Sequence, residues 1–224
     1  MLAPGRANDP AGPDAPGGPP HPRPRQNRVT PEGEIIATPA RGLFLGNRGC
    51  LHDAAGRLGT ARWRHPHWIV CALAFKDRHR ALMAPGRWTE LFFLDEAVAL
   101  AAGHRPCAEC RRAAFRAFQA AFAPAALPAP EIDRRLHAAR VTRARRQITH
   151  AAEIATLPDG TFLRLPGETA AQLLHAGQLW PYSPAGYGPP RPRPTAGLVT
   201  VLTPAPTLAA LRNGYRPALH PSAE

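Results

Sequence analysis

Residues 103–112 read "GHRPCAECRR", which places Cys107 and Cys110 three apart, behind an Arg-Pro pair and ahead of two arginines. Two thiols at C-x-x-C spacing can grip a soft metal from one tight knuckle, act as a redox pair, or supply a nucleophile. The flanking chain favours the metal. Pro106 fixes the approach, and the helix expected after Cys110 turns its N-terminus toward both sulfurs, which stabilises thiolate charge. Arg105, Arg111 and Arg112 lower the thiol pKa values further. A redox knuckle would lie between a strand and a helix of a βαβ unit, whereas this one follows a helix. Two more cysteines, Cys50 in "GNRGCLHD" and Cys71 in "HWIVCALAF", are the remaining thiols.

The elements that must position these groups follow from periodicity and punctuation. "EIIATP" and "RGLFLGNRG" read as short strands, and "HWIVCALAF" (67–75) as the strongest strand, with Cys71 at its centre. "TELFFLDEAVALAAG" reads as a strand through Phe93, then a short helix with Asp95 as N-cap and Gly103 as its C-terminal stop. "CRRAAFRAFQAAFA" is a helix whose Phe115, Phe118 and Phe122 form a core stripe. After the linker "PAALPAP", residues 131–147 read as one basic helix. "LPDGTFLRLPG" reads as a hairpin or turn, and "ETAAQLLHAGQLWPYS" as a short helix and a strand. "GLVTVLT" closes as a strand, and "TLAALRNGYRP" as a helical turn. The fold class is α+β, with short strands, a zinc knuckle between two helices, and a C-terminal hairpin region. The expected division is a disordered Pro/Gly-rich leader (1–27), a zinc-binding α+β domain (28–124), and an Arg-rich helix with a β-containing region packed on it (125–224).

From Glu90 to Arg112 the chain resembles the end of the zinc-binding, methyl-phosphotriester-accepting domain of the Ada DNA-repair protein. There, too, a strand leads into an "ALAAG" helix and then Arg-Pro-Cys-x-x-Cys. The resemblance implies that Cys107 and Cys110 are zinc ligands. In that family an upstream C-x-x-x-C pair completes a four-thiolate site, and its first cysteine accepts a methyl group from the DNA backbone. Here Cys71 occupies the first position, and Phe75 stands where the second cysteine belongs. Cys50 is the expected fourth ligand, with His52 and His104 behind it, and Cys71 is the candidate acceptor.

The net charge is +12, and a single lysine (Lys76) leaves almost all of it to arginine, whose fork matches phosphate oxygens. DNA is therefore the expected partner, through Arg105, Arg111, Arg112, Arg134, Arg135, Arg140, Arg143, Arg145 and Arg146. A GC-rich bacterial genome would also enrich arginine. Trp63, Trp68, Trp88 and Trp180 could stack on bases. The histidines His52, His65, His67 and His79 would suit a ββα-metal nuclease only with a matching helix motif, which is not evident. Alternatives are a metal-dependent nuclease or methyl acceptor, and a non-catalytic zinc module for protein interaction. No apolar run reaches membrane-span length, and four cysteines without a secretory signal point to a cytoplasmic metal protein. No phosphate-cradling glycine loop or other small-molecule cofactor motif is evident.

Overall fold

A computed structural model describes residues 24–76 and 81–224. The fold has two sheets, and one buried helix contacts both. The first sheet holds Gln26–Val29 (β1), Ile35–Ala37 (β2), Phe44–Asn47 (β3), Ile69–Ala72 (β4), Leu91–Phe93 (β5) and Arg105–Pro106 (β6), in the order β2-β1-β5-β3-β4-β6. The pairs β1–β5 and β4–β6 are parallel, and the others are antiparallel. β1 begins at Gln26, inside the stretch expected to be leader, and Asn27 is fully buried. Residues 1–23 of that leader, like His79, lie outside the described residues.

The second sheet comprises His150–Glu153 (β7), Thr161–Arg164 (β8), Gln172–His175 (β9), Gln178–Ser183 (β10), Gly186–Tyr187 (β11), Arg191–Pro192 (β12) and Leu198–Val201 (β13). Its order is β11-β10-β9-β8-β13-β7, with β12 also on β10, and all its pairings are antiparallel. The short helix expected at the start of "ETAAQLLHAGQLWPYS" does not form: residues 168–171 are loop, and Gln172–His175 is a strand of the β9–β10 hairpin. Ala176 and Gly177 both take positive φ (50° and 70°), the backbone a two-residue hairpin turn needs to match strand twist.

Four α-helices, Glu96–Ala101 (α1), Arg112–Phe122 (α2), Ala129–Arg140 (α3) and Ala205–Arg212 (α4), complete the α+β fold. All six residues of α1 are buried, so this short segment depends on packing rather than propensity. Val98 and Ala99 join the core that reaches Phe162 and Leu173 of the second sheet, while Leu100 joins a second core with Phe118, Leu136 and Leu208. Each fully buried Val or Leu contributes about 1.5–3 kcal/mol. Asp95 caps α1 by accepting the Val98 N–H (2.9 Å), and it also accepts from the Tyr187 hydroxyl (2.7 Å) and the His220 N–H (3.1 Å). The N-cap and the Gly103 stop thus stand where the sequence placed them. Gly103 has φ +84°, and a Cβ there would meet Cδ of Arg140 at 2.5 Å.

The basic helix is shorter than expected. α3 ends at Arg140 because Val141 turns extended and pairs with Gln147. Residues 142–146 form the turn between them, with Arg145 at φ +62° and its N–H donating to the Thr142 carbonyl (3.0 Å). Arg143, Arg145 and Arg146 therefore project from a loop rather than from a helix face.

Candidate metal centre

The site grows out of the parallel pairing of β4 and β6. Ile69 lies opposite Arg105 and Val70 opposite Pro106, and the Cys107 N–H extends the ladder by donating to the Val70 carbonyl (2.9 Å). This register brings Cys107 beside Cys71, the third residue of β4. The chain then turns through Ala108–Arg111 into α2, and the Arg111 N–H donates to the Cys107 carbonyl (3.1 Å). That turn carries Cys110 back over Cys107. The three sulfurs of Cys71, Cys107 and Cys110 all lie within 4.8 Å of one another.

Three thiols at this spacing share protons. Hydrogen bonds from Cys110 and Cys71, with backbone N–H groups of Cys110 and Glu109, hold the Cys107 thiol far below its ordinary pKa. The Cys71 and Cys110 thiols are pushed up, chiefly by the bond each makes to Cys107 and, for Cys71, also by Cys110 and burial. The cluster by itself therefore favours one thiolate and two protonated partners. A divalent cation in place of those protons would ionise all three. The donor set fits zinc. Tetrahedral Zn–S bonds of about 2.3 Å need sulfurs about 3.8 Å apart, inside the 4.8 Å that bounds the cluster. Backbone N–H groups on Cys107, and that of Ala72 on Cys110, supply the outer hydrogen bonds that orient such ligands.

The fourth expected ligand is elsewhere. Cys50 lies in the loop after β3, with its thiol 3.6 Å from the His52 carbonyl, and is not among the clustered sulfurs. His52 has both ring nitrogens engaged, by the Thr89 hydroxyl (2.7 Å) and the Ala84 carbonyl (3.2 Å). His104 is fully buried on Phe93 and Trp68, where its Nε2 accepts from Nε of Arg48 (3.3 Å). Among the described residues no histidine or carboxylate joins the three-cysteine group.

Instead, the cluster forms part of the wall of a pocket of about 330 Å³. Leu45, Ile69, Leu73, Phe75, Leu82 and Trp88 give it an apolar lining, and Asn47, Glu90 and Glu109 its polar groups. Phe75, the residue in place of the family's second cysteine, is thus a neighbour of the site rather than a ligand.

The nine arginines assigned to DNA divide in two. Arg105 is buried and makes a bidentate pair with Asp133 (Nε–Oδ1 and Nη2–Oδ2, both 2.8 Å). Arg140 is buried over the Trp68 ring and donates to the Gly103 and Pro66 carbonyls (2.7 and 2.6 Å). Arg111 pairs with the buried Glu96 (2.7 Å) and covers the Phe44 ring. These three have internal partners. Arg112, Arg134, Arg135, Arg143, Arg145 and Arg146 are exposed, with Arg134 and Arg135 both held by Glu131. The reading of the sequence missed Arg48, which is buried against Trp68 (4.1 Å to the ring). Its signal was a charged residue directly after the β3 strand pattern, in "GNRG".

Fold and site together define an α+β protein with a three-cysteine cluster that could hold a metal ion such as zinc. Comparison with protein-family models, with curated proteins and with solved structures finds no match to this chain. No helix among the described residues is long and apolar enough to cross a membrane.

Proposed function

We propose that this chain is a zinc-binding, DNA-binding protein similar to the Ada metal-binding domain, acting on backbone damage through an accessible zinc-held thiolate. The observation that carries the reading is the convergence of Cys71, Cys107 and Cys110 at the wall of the pocket. Three protein ligands leave one tetrahedral position for water or substrate, the arrangement of reactive rather than closed structural zinc sites. When bound, the metal supplies the charge that keeps the thiols ionised near neutral pH.

Cys71, half-buried on the pocket wall, is the sulfur assigned as acceptor. Its thiolate attacks the alkyl carbon of a backbone phosphotriester. The S–C bond forms, the C–O bond breaks, and the phosphodiester anion leaves with the electron pair. The apolar lining suits the alkyl group. Glu90 and Glu109 line the pocket and no described arginine does, so an intact, anionic diester is disfavoured there while a locally neutral triester is not. The exposed arginines would hold the flanking phosphates, which position a protein without reading sequence.

The test is transfer from DNA carrying isotopically labelled methyl phosphotriesters to metal-loaded protein, followed by peptide mapping. Label on Cys71, up to one per chain, supports the reading. Zinc at one per chain with no label on any cysteine removes the acceptor role, and protein purified without zinc removes the metal centre as well.

A further inference from the structure

A second cleft includes Trp68 and shares no lining residue with the cysteine pocket. Arg48 and Arg140 both place their guanidinium groups over the Trp68 ring, at 4.1 and 3.8 Å from its centroid. Both are almost fully buried, at 2% and 1% exposure, and among the described residues neither has a carboxylate within ion-pair distance. Arg48 donates Nη1 to the Gly33 carbonyl (3.1 Å) and Nε to His104, but its Nη2 is buried without a partner, as is Nε of Arg140. Two buried like charges on one ring are costly unless something anionic compensates them.

The two residues that carry these unpartnered groups both line this cleft. Arg48, Arg140 and Trp68 line it, Gly33 forms one wall, and Arg62 and Arg145 stand at its rim. Nη2 of Arg48 lies on the Gly33 side, 3.6 Å from where a Cβ of that glycine would be. The floor is rigid, because the Gln147 side-chain amide donates to carbonyls of Pro31, Ala101 and Leu202 (2.9, 3.2 and 3.1 Å) and so ties both sheets to the end of α1. The enclosed space is about 20 Å³, room for one oxygen-sized atom. Glu32 and Glu34 also line the cleft, and Glu34 lies near enough to act on the Arg48 charge, so four guanidiniums face two carboxylates. Burial pushes the Arg48 guanidinium down to about 9 and that of Arg140 down to about 8, with Glu34 and Asp133 respectively offsetting only part of the effect.

We infer that this cleft is an oxyanion site that takes one oxygen of a phosphate group onto Nη2 of Arg48, with Arg62 and Arg145 closing on the oxygens left outside. Planar forks meeting a tetrahedral oxyanion give short, charge-assisted bonds that a spherical halide cannot fully use. The site does not depend on the metal or on the acceptor chemistry. Its phosphate can come from a nucleic-acid backbone or from free phosphate, and the shared chemistry is the phosphoryl oxygen.

The experiment titrates the full-length, metal-loaded protein with inorganic phosphate, read by tryptophan fluorescence and by broadening of the phosphorus NMR line, with chloride at equal ionic strength as control. Saturable binding that chloride does not reproduce is expected. Arg145→Ala and Arg62→Ala, at rim positions whose truncation leaves the core intact, should each weaken it about tenfold. Arg48→Met, which keeps the volume but not the charge, should abolish it if the variant folds. A short DNA duplex added to the phosphate complex identifies the source: displacement assigns the site to the nucleic-acid backbone, and co-occupancy assigns it to free phosphate. Absence of saturable binding, an equal response to chloride, or rim variants that bind phosphate as well as the parent overturns the inference.

Discussion

The Cys107 N–H donates to the carbonyl of Val70 at 2.9 Å, so a sheet hydrogen bond brings the knuckle beside the strand that carries Cys71. Backbone pairing places Cys107 beside Cys71, and the turn closed by the Arg111 N–H on the Cys107 carbonyl brings in Cys110. The metal set should therefore be intolerant of change within it and indifferent to change outside it. Serine at position 71, 107 or 110 should reduce bound zinc from one per chain to well below that. Cys50→Ser should leave it unchanged, because the Cys50 thiol is held at the His52 carbonyl instead. Metal analysis of the four purified variants checks this, and loss of zinc from the Cys50 variant would restore the four-thiolate expectation.

Phe75→Cys provides the complementary test. Position 75 lines the same pocket as the three sulfurs, so a thiol there can close the fourth position. Zinc affinity should rise at least about tenfold and exchange with added small ligands should slow, as for a closed structural site. Cobalt-substituted protein reports the change as stronger sulfur-to-metal charge-transfer absorption. An unaltered spectrum would place residue 75 out of reach of the metal.

Gly103→Ala should destabilise the fold strongly. The residue has φ +84°, which costs a side-chain-bearing residue about 1–2 kcal/mol, and the new Cβ would press on Arg140 at 2.5 Å. A combined loss of about 3 kcal/mol corresponds to a fall in Tm of about 6–12 °C for a chain of this size. Thermal unfolding of the metal-loaded variant measures it. A change under about 1 kcal/mol would mean that Arg140 moves freely over that position.

Acid stability should carry a signature of His104. Burial first, then Arg48 and Arg140, holds its pKa well below the ordinary 6.5, so the folded ring is neutral. The unfolded chain binds that proton more readily, and the stabilisation present above 6.5 is lost as pH falls toward the folded value, by up to about 1.4 kcal/mol per pH unit. His104→Gln, which cannot titrate, should show a shallower acid limb in denaturant unfolding between the two values. Identical limbs in both proteins would assign the acid sensitivity to other groups, the cysteines among them.

For the DNA reading, Arg143 and Arg146 are the informative pair, since both are exposed and neither lines the Trp68 cleft. Replacing both with alanine should weaken binding on every duplex sequence and reduce the salt slope by up to about 2. Affinities at several salt concentrations decide it, and an unchanged slope removes this turn from the interface.

Much of the site was legible in the chain because its determinants are local. C-x-x-C spacing, the Asp95 cap, the Gly103 stop and the phenylalanine stripe of α2 each depend on residues within a turn or two, and each stands where the sequence placed it. The density of β-branched and aromatic residues in "HWIVCALAF" likewise pointed to a strand through Cys71, although only Ile69–Ala72 pairs. Residues 141–147 were less legible. Their helix propensity is genuine, but bridging Val141 to Gln147, whose amide ties together three distant carbonyls, overrides it. The segment before Leu173 was misread for a similar reason, since its apolar residues serve a hairpin whose turn geometry shows only in φ.

The sequence by itself determined which residues could ligate a metal and that the chain carries a large excess of arginine. Only the tertiary structure decided which thiols meet and which arginines face outward. Both are long-range outcomes: β4 and β6 are joined by more than thirty residues of intervening chain, and Asp133 reaches Arg105 only once α3 has packed. A guanidinium has the same charge in sequence whether it will meet a carboxylate, an indole face or water. Its role is fixed by the partner that burial supplies, and that partner is set by the packing of the whole chain.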